Sequence, residues 1–85
     1  MNWLVTGGCG FIGTNLADAL LRDGEGVTLF DSLYRQGSEE NLAWMRGRYA
    51  GAVRFVRGDI RDPEAVATVV RDLQPDVIAH FAGQV

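Results

Sequence analysis

The run Val5-Thr6-Gly7-Gly8-Cys9-Gly10-Phe11-Ile12-Gly13-Thr14 constrains this chain more than any other stretch of its 85 residues. Three glycines spaced by three, Gly7, Gly10 and Gly13, stand between a short apolar run, Trp3-Leu4-Val5, and a segment with helical periodicity. A strand that breaks through such a turn into a helix brings bare N–H groups against a pyrophosphate and seats the helix close to the strand. The helix N-terminus then faces the phosphates with unpaired donors and a partial positive charge. This is a dinucleotide site written in backbone.

The flanks support that reading. Trp3-Leu4-Val5 has the continuous apolar character of a strand buried on both faces. Ile12, Leu16, Ala19 and Leu20 recur at three and four residues, which predicts an amphipathic helix burying that stripe, with Asp18, Arg22 and Asp23 opposite and Gly24 at its end. A second apolar run, Val27 to Phe30, closes on Asp31, eighteen residues past Gly13. A carboxylate there, at the tip of the second parallel strand, can accept both hydroxyls of an adenosine ribose. It also repels a 2′-phosphate, so it favours NAD over NADP. The plainer alternative is that Asp31 is a strand-end turn residue.

Beyond a polar loop from Ser32 to Gly37, Ser38-Glu39-Glu40-Asn41 predicts a helix start with Ser38 as N-cap. Leu42, Met45 and Tyr49 share one face of that helix, which Gly47 and Gly51 are expected to keep short. A third strand covers Val53 to Val56. Asp62-Pro63-Glu64 opens a further helix with a capping carboxylate and a proline at its first position. Val66, Val69, Val70 and Leu73 form the buried stripe of that helix, and Pro75 stops it. The fourth strand runs from Asp76 to Phe81 and meets Ala82-Gly83. The order predicts an α/β fold, the N-terminal half of a doubly wound Rossmann domain over residues 1–85, with four parallel strands in spatial order 3-2-1-4. A ligand is expected at the carboxyl ends of the first and fourth strands, where Gly7, Gly10 and Gly83 converge.

Composition narrows the partners. The net charge is −3 and the arginines are scattered from Arg22 to Arg71, which argues against nucleic acid. All eight cations are arginines, and the chain has no lysine. No apolar run reaches membrane-spanning length and no basic leader precedes one, so the cytoplasm is the expected location. Cys9 is the only cysteine and has no partner ligands for a metal. It reads as a small residue tolerated in the turn, although a helix N-terminus could lower its pKa.

Taken together, Thr6-Gly7-Gly8-Cys9-Gly10-Phe11-Ile12-Gly13, Phe30-Asp31-Ser32-Leu33, Gly58-Asp59-Ile60-Arg61-Asp62 and His80-Phe81-Ala82-Gly83 resemble the extended short-chain dehydrogenase/reductase family, the NAD-dependent epimerases and dehydratases of nucleotide sugars. The stretches Asp31 to Gly37, Glu40 to Trp44 and His80 to Val85 are most similar to the branch that epimerises C2 of a CDP-linked dideoxyhexose. Ser32 departs from the asparagine common in relatives. The resemblance implies NAD held by Gly7, Gly10, Phe11, Ile12, Gly13 and Asp31. Asp59 would bond the adenine amine, Ile60 would pack on the base, and Ala82 and Gly83 would pass near the pyrophosphate and nicotinamide ribose. Asp59 has a plainer reading as a turn residue, His80 as a satisfied core histidine, and Arg35 as either a phosphate contact or a solvated loop residue.

The family's chemistry uses a serine or threonine and a tyrosine–lysine pair; Tyr34 and Tyr49 have no lysine to pair with, so no catalytic residue is assigned. The resemblance implies the first half of an enzyme, with a nucleotide-sugar substrate and a homo-oligomeric intact protein. The alternatives are a non-catalytic NAD-binding module and a Rossmann half with vestigial binding.

Overall fold

The computed structural model describes residues 1–82. Its elements are β1 (Asn2–Thr6), α1 (Phe11–Arg22), β2 (Gly26–Asp31), α2 (Ser38–Tyr49), β3 (Val53–Arg57), α3 (Pro63–Leu73) and β4 (Val77–His80), with a single 3₁₀ turn over Ala50–Ala52. The four strands form one parallel sheet in the order β3-β2-β1-β4. This is the Rossmann-type half that the alternation of strands and helices predicts.

Alternating side chains of the two central strands feed two separate cores, as the pleat requires. Val5, Val27 and Leu29 pack with Ala17 and Leu21 of α1 and Leu42 and Met45 of α2. Leu4 and Phe30 point to the other face, where Val69 of α3 meets them. β1 and β2 are therefore apolar on both faces, while among the described residues β3 and β4 are edges, with three of five and two of four residues exposed.

Three local expectations need correction. The buried stripe of α1 is Gly13, Thr14, Ala17 and Leu21, one residue on from the predicted set, and Ile12 is 62% exposed. Close packing of Gly13 on the preceding turn fixes the rotation of the helix, which carries Ile12 outward. Ser38 is the first residue of α2, and Gly37 is its N-cap. The Ser38 hydroxyl is buried and donates back to the Arg35 carbonyl, so it is turned away from the helix amides. α2 also runs straight through Gly47 and is as long as α1 at 12 residues, because Leu42, Met45 and Tyr49 anchor its inner face. α3 forms as predicted: Asp62 accepts from the N–H groups of Glu64 and Ala65 at 3.0 and 3.3 Å, and Pro63 stands at its start.

Candidate functional site

At the carboxyl end of β1 the chain turns through Gly7 with φ of 68°. A Cβ on Gly7 would lie 2.8 Å from the backbone of Phe81 and Ala82, so only glycine lets this turn pass under the end of β4. The Gly7 N–H donates to the Phe30 carbonyl at 2.8 Å and the Gly10 N–H to the Gly7 carbonyl at 3.1 Å. Gly10 is the N-cap of α1 and has no side chain to satisfy the first helical amides. Those orphan donors, with the positive end of the helix dipole, open on a cleft of about 950 Å³ lined by Gly7, Gly10, Phe11 and Ile12.

The glycines differ in what demands them. A Cβ on Gly13 would come within 2.3 Å of the Gly7 carbonyl oxygen; Gly13 seats the helix on the turn and does not line the cleft. Gly8, which spacing alone does not single out, is equally confined, with Leu29 side-chain atoms 2.8 and 2.9 Å from a Cβ there. At Gly10 a Cβ would meet only the Gly7 carbonyl, at 3.3 Å, although Gly10 lines the cleft. Packing within the protein does not require a bare backbone at Gly10, which faces the open cleft. The cradle therefore fits a pyrophosphate.

Asp31, at the tip of β2, lines the same cleft. Its Oδ2 accepts from the Cys9 N–H at 3.0 Å and its Oδ1 from the Leu33 N–H at 2.8 Å. Of about four acceptor sites on a carboxylate, two remain, enough for the two hydroxyls of a ribose. Asn41 of α2 donates to the Cys9 carbonyl at 2.8 Å, which ties the glycine turn, the tip of β2 and α2 together. Motif spacing gives no sign of these backbone donors, since any residue type can supply them.

The Cys9 thiol lies in the core between α1 and α2, and its pKa is pushed up to about 12, by burial first and by the Asp31 carboxylate second, against a smaller opposing pull from Arg46. The helix N-terminus does not lower it, because the side chain is buried in apolar surroundings, in keeping with Cys9 as a small residue tolerated in the turn.

Asp59 and Ile60 stand on the opposite wall. Ile60 packs against the Leu4–Phe30–Val69 cluster. The Asp59 carboxylate is gripped by Arg61, whose guanidinium reaches Oδ2 at 2.7 Å, and this pairing holds its pKa down at about 2. Ala82, Ser32, Tyr34 and Arg35 also line the cleft. Gly83 lies outside the described residues. His80 is exposed on the edge strand and is no core residue, although its Nδ1 is 2.7 Å from the Thr6 hydroxyl. Of the ten residues assigned to cofactor contact, eight line one cleft, Gly13 lies behind it and one is not described.

A second groove, of about 800 Å³, runs between α3 and β3 past Phe30, Val56 and Val69, and contains none of the predicted glycines. Among the described residues there is no cluster of metal-ligating side chains and no helix long and apolar enough to cross a membrane.

Comparisons with known proteins agree with this fold. CDP-paratose 2-epimerase of Salmonella typhi is 44% identical over 85 residues, covering the whole of this chain and 25% of that protein. A dTDP-glucose 4,6-dehydratase of Mycobacterium tuberculosis is 41% identical over 86 residues, covering 99% of this chain and 24% of the relative. A crystal structure of UDP-glucose 4-epimerase from Bifidobacterium longum in complex with NAD+ and UDP superposes with a TM-score of 0.87 at 33% identity, over 99% of this chain and 25% of that one. The chain thus spans about a quarter of the length of these relatives, a smaller share than the expected half. The GDP-mannose 4,6 dehydratase family model matches residues 4–85. With the glycine turn, Asp31 and the 3-2-1-4 sheet in place, the chain belongs to the extended short-chain dehydrogenase/reductase family of nucleotide-sugar epimerases and dehydratases.

Proposed function

We propose that this chain binds NAD in the cleft at the carboxyl ends of β1 and β2, as the cofactor-binding portion of a nucleotide-sugar epimerase or dehydratase. The carrying observation is that the uncapped start of α1 and the Asp31 carboxylate face one cleft. In this reading the amides of Phe11 and Ile12 and the bare backbone of Gly7 and Gly10 hold the pyrophosphate, with Gly13 keeping α1 close. Asp31 takes the ribose hydroxyls, Asp59 and Ile60 take the adenine, and Ala82 and Gly83 pass beside the pyrophosphate and nicotinamide ribose.

When bound, NAD supplies the reversible acceptance of hydride by which such enzymes oxidise a sugar carbon transiently. The residues described here bind and orient; with no lysine in the chain, none forms a tyrosine–lysine pair. For the whole protein we favour CDP-paratose 2-epimerase activity, on 44% identity to that enzyme against 41% to a dehydratase. A homo-oligomer and a cytoplasmic location complete the proposal, the latter in keeping with an unpaired thiol.

Calorimetric titration of the chain with NAD and NADP tests the binding, and tighter binding of NAD is expected. Failure to bind NAD, or equal affinity for both, would refute the assignment. Incubating the protein encoded by the whole gene with CDP-paratose, followed by NMR of the sugar, tests the activity. Inversion at C2 is expected, and unchanged substrate would remove the epimerase reading.

A further inference from the structure

Arg61 folds back on Asp59 through every donor it can aim there. Its backbone N–H donates to Oδ1 at 2.9 Å, its Nε lies 3.1 Å from both carboxylate oxygens, and its terminal nitrogen donates to Oδ2 at 2.7 Å. Three N–H groups from one residue thus occupy three of the carboxylate's roughly four acceptor sites. A guanidinium fork also fixes the plane of the carboxylate it grips. The side chains are 39% and 69% exposed, and both residues line the cleft. An exposed ion pair of this kind contributes little to folding.

Resting on the NAD reading, we propose that Arg61 is the positioning residue for purine recognition, holding Asp59 in one orientation with a single acceptor site left for a 6-amino group. A 6-amino purine donates to that site. A 6-oxo purine sets a carbonyl oxygen against the carboxylate, and the two guanidinium N–H groups nearest that site are already committed to Asp59. Arg61 also keeps the Asp59 carboxyl down at about 2, the mark of a carboxylate held by its donors. Discrimination at the purine 6-position thus belongs to the pair and not to Asp59 alone.

The test compares NAD with nicotinamide hypoxanthine dinucleotide, which carries a 6-oxo group and an N1–H in place of the 6-amino group and bare N1, by calorimetric titration of the chain. The unsubstituted chain is expected to prefer NAD by about tenfold or more, the size of one charge-assisted hydrogen bond. In Arg61→Gln that preference falls below about threefold, and the Asp59 carboxyl, followed by ¹³C NMR, titrates closer to an ordinary aspartate. Arg61→Lys keeps the charge without the fork and is expected to lose the preference as well; it answers the question if Arg61→Gln does not fold. Equal loss of both affinities with the preference intact, or an unmoved Asp59 titration, would overturn the role of Arg61 and leave the NAD reading standing. Failure of the unsubstituted chain to bind either dinucleotide would overturn both.

Discussion

Adding one methyl group at either of two glycines separates what folds this chain from what binds its ligand. In Gly13→Ala the new Cβ lies 2.3 Å from the Gly7 carbonyl oxygen and 2.9 Å from the Gly8 Cα, both backbone atoms that cannot rotate away. Restoring ordinary contact moves α1 off the sheet by about 1 Å and takes Ala17 and Leu21 with it. Overpacking this severe costs about 3 kcal/mol, of which the better helix propensity of alanine returns up to about 1. The net loss of about 2 kcal/mol lowers Tm by roughly 8–16 °C for a chain of this size. In Gly10→Ala the Cβ meets only one atom, at 3.3 Å, and the backbone at φ −79° and ψ 177° suits any residue. Losing glycine at the N-cap costs about 0.5–1 kcal/mol, and the smaller entropy of the unfolded chain returns about as much. Tm should stay within about 4 °C. The methyl group nevertheless stands where the pyrophosphate is proposed to lie, so NAD affinity should fall at least about tenfold. Differential scanning calorimetry with and without NAD reads both effects. The reasoning is refuted if Gly10→Ala melts as early as Gly13→Ala, or if it binds NAD as tightly as the parent.

Asp31→Ala should weaken NAD binding more than NADP binding in parallel titrations, because it removes the ribose acceptor and the repulsion of a 2′-phosphate together; equal losses would take Asp31 out of the ribose role. Among the described residues β4 pairs only with β1, and Ile78 within it and Phe81 just beyond it are exposed to about half their area, so the 85-residue chain should self-associate in analytical ultracentrifugation and Ile78→Lys should reduce it. A monodisperse parent at high concentration would contradict this. With its pKa raised to about 12, Cys9 should react with a thiol reagent at pH 8 roughly a thousandfold more slowly in the native chain than in strong denaturant. Rapid native labelling would show that the turn opens.

The strands, their order and the ligand-facing end of the sheet were legible because continuous apolar runs punctuated by glycine and by Asp62-Pro63 each have one economical structural solution. The rotation of α1 was not, since periodicity counts apolar side chains and the contact that decides the rotation is made by Gly13, which has none. Ser38 misled for a related reason: the residue has capping chemistry, but tertiary burial turned its hydroxyl toward Arg35. In the site, Asp31 could be found by spacing, whereas its anchors, the N–H groups of Cys9 and Leu33, could not. The grip of Arg61 on Asp59 joins residues two apart, close enough for the sequence to permit it, but only the geometry shows the carboxylate nearly filled.

The sheet order has a consequence for how the chain is made. β1 leaves the ribosome before the other three described strands, yet one of its two neighbours is β4, and Thr6 meets His80 across 74 positions. At ordinary elongation rates of roughly 5–20 residues per second, β1 waits on the order of 4–15 s for that partner. The wall that Ala82 sets against Gly7 is laid only when β4 docks. A nascent chain can therefore close its cradle only after synthesis has passed Ala82.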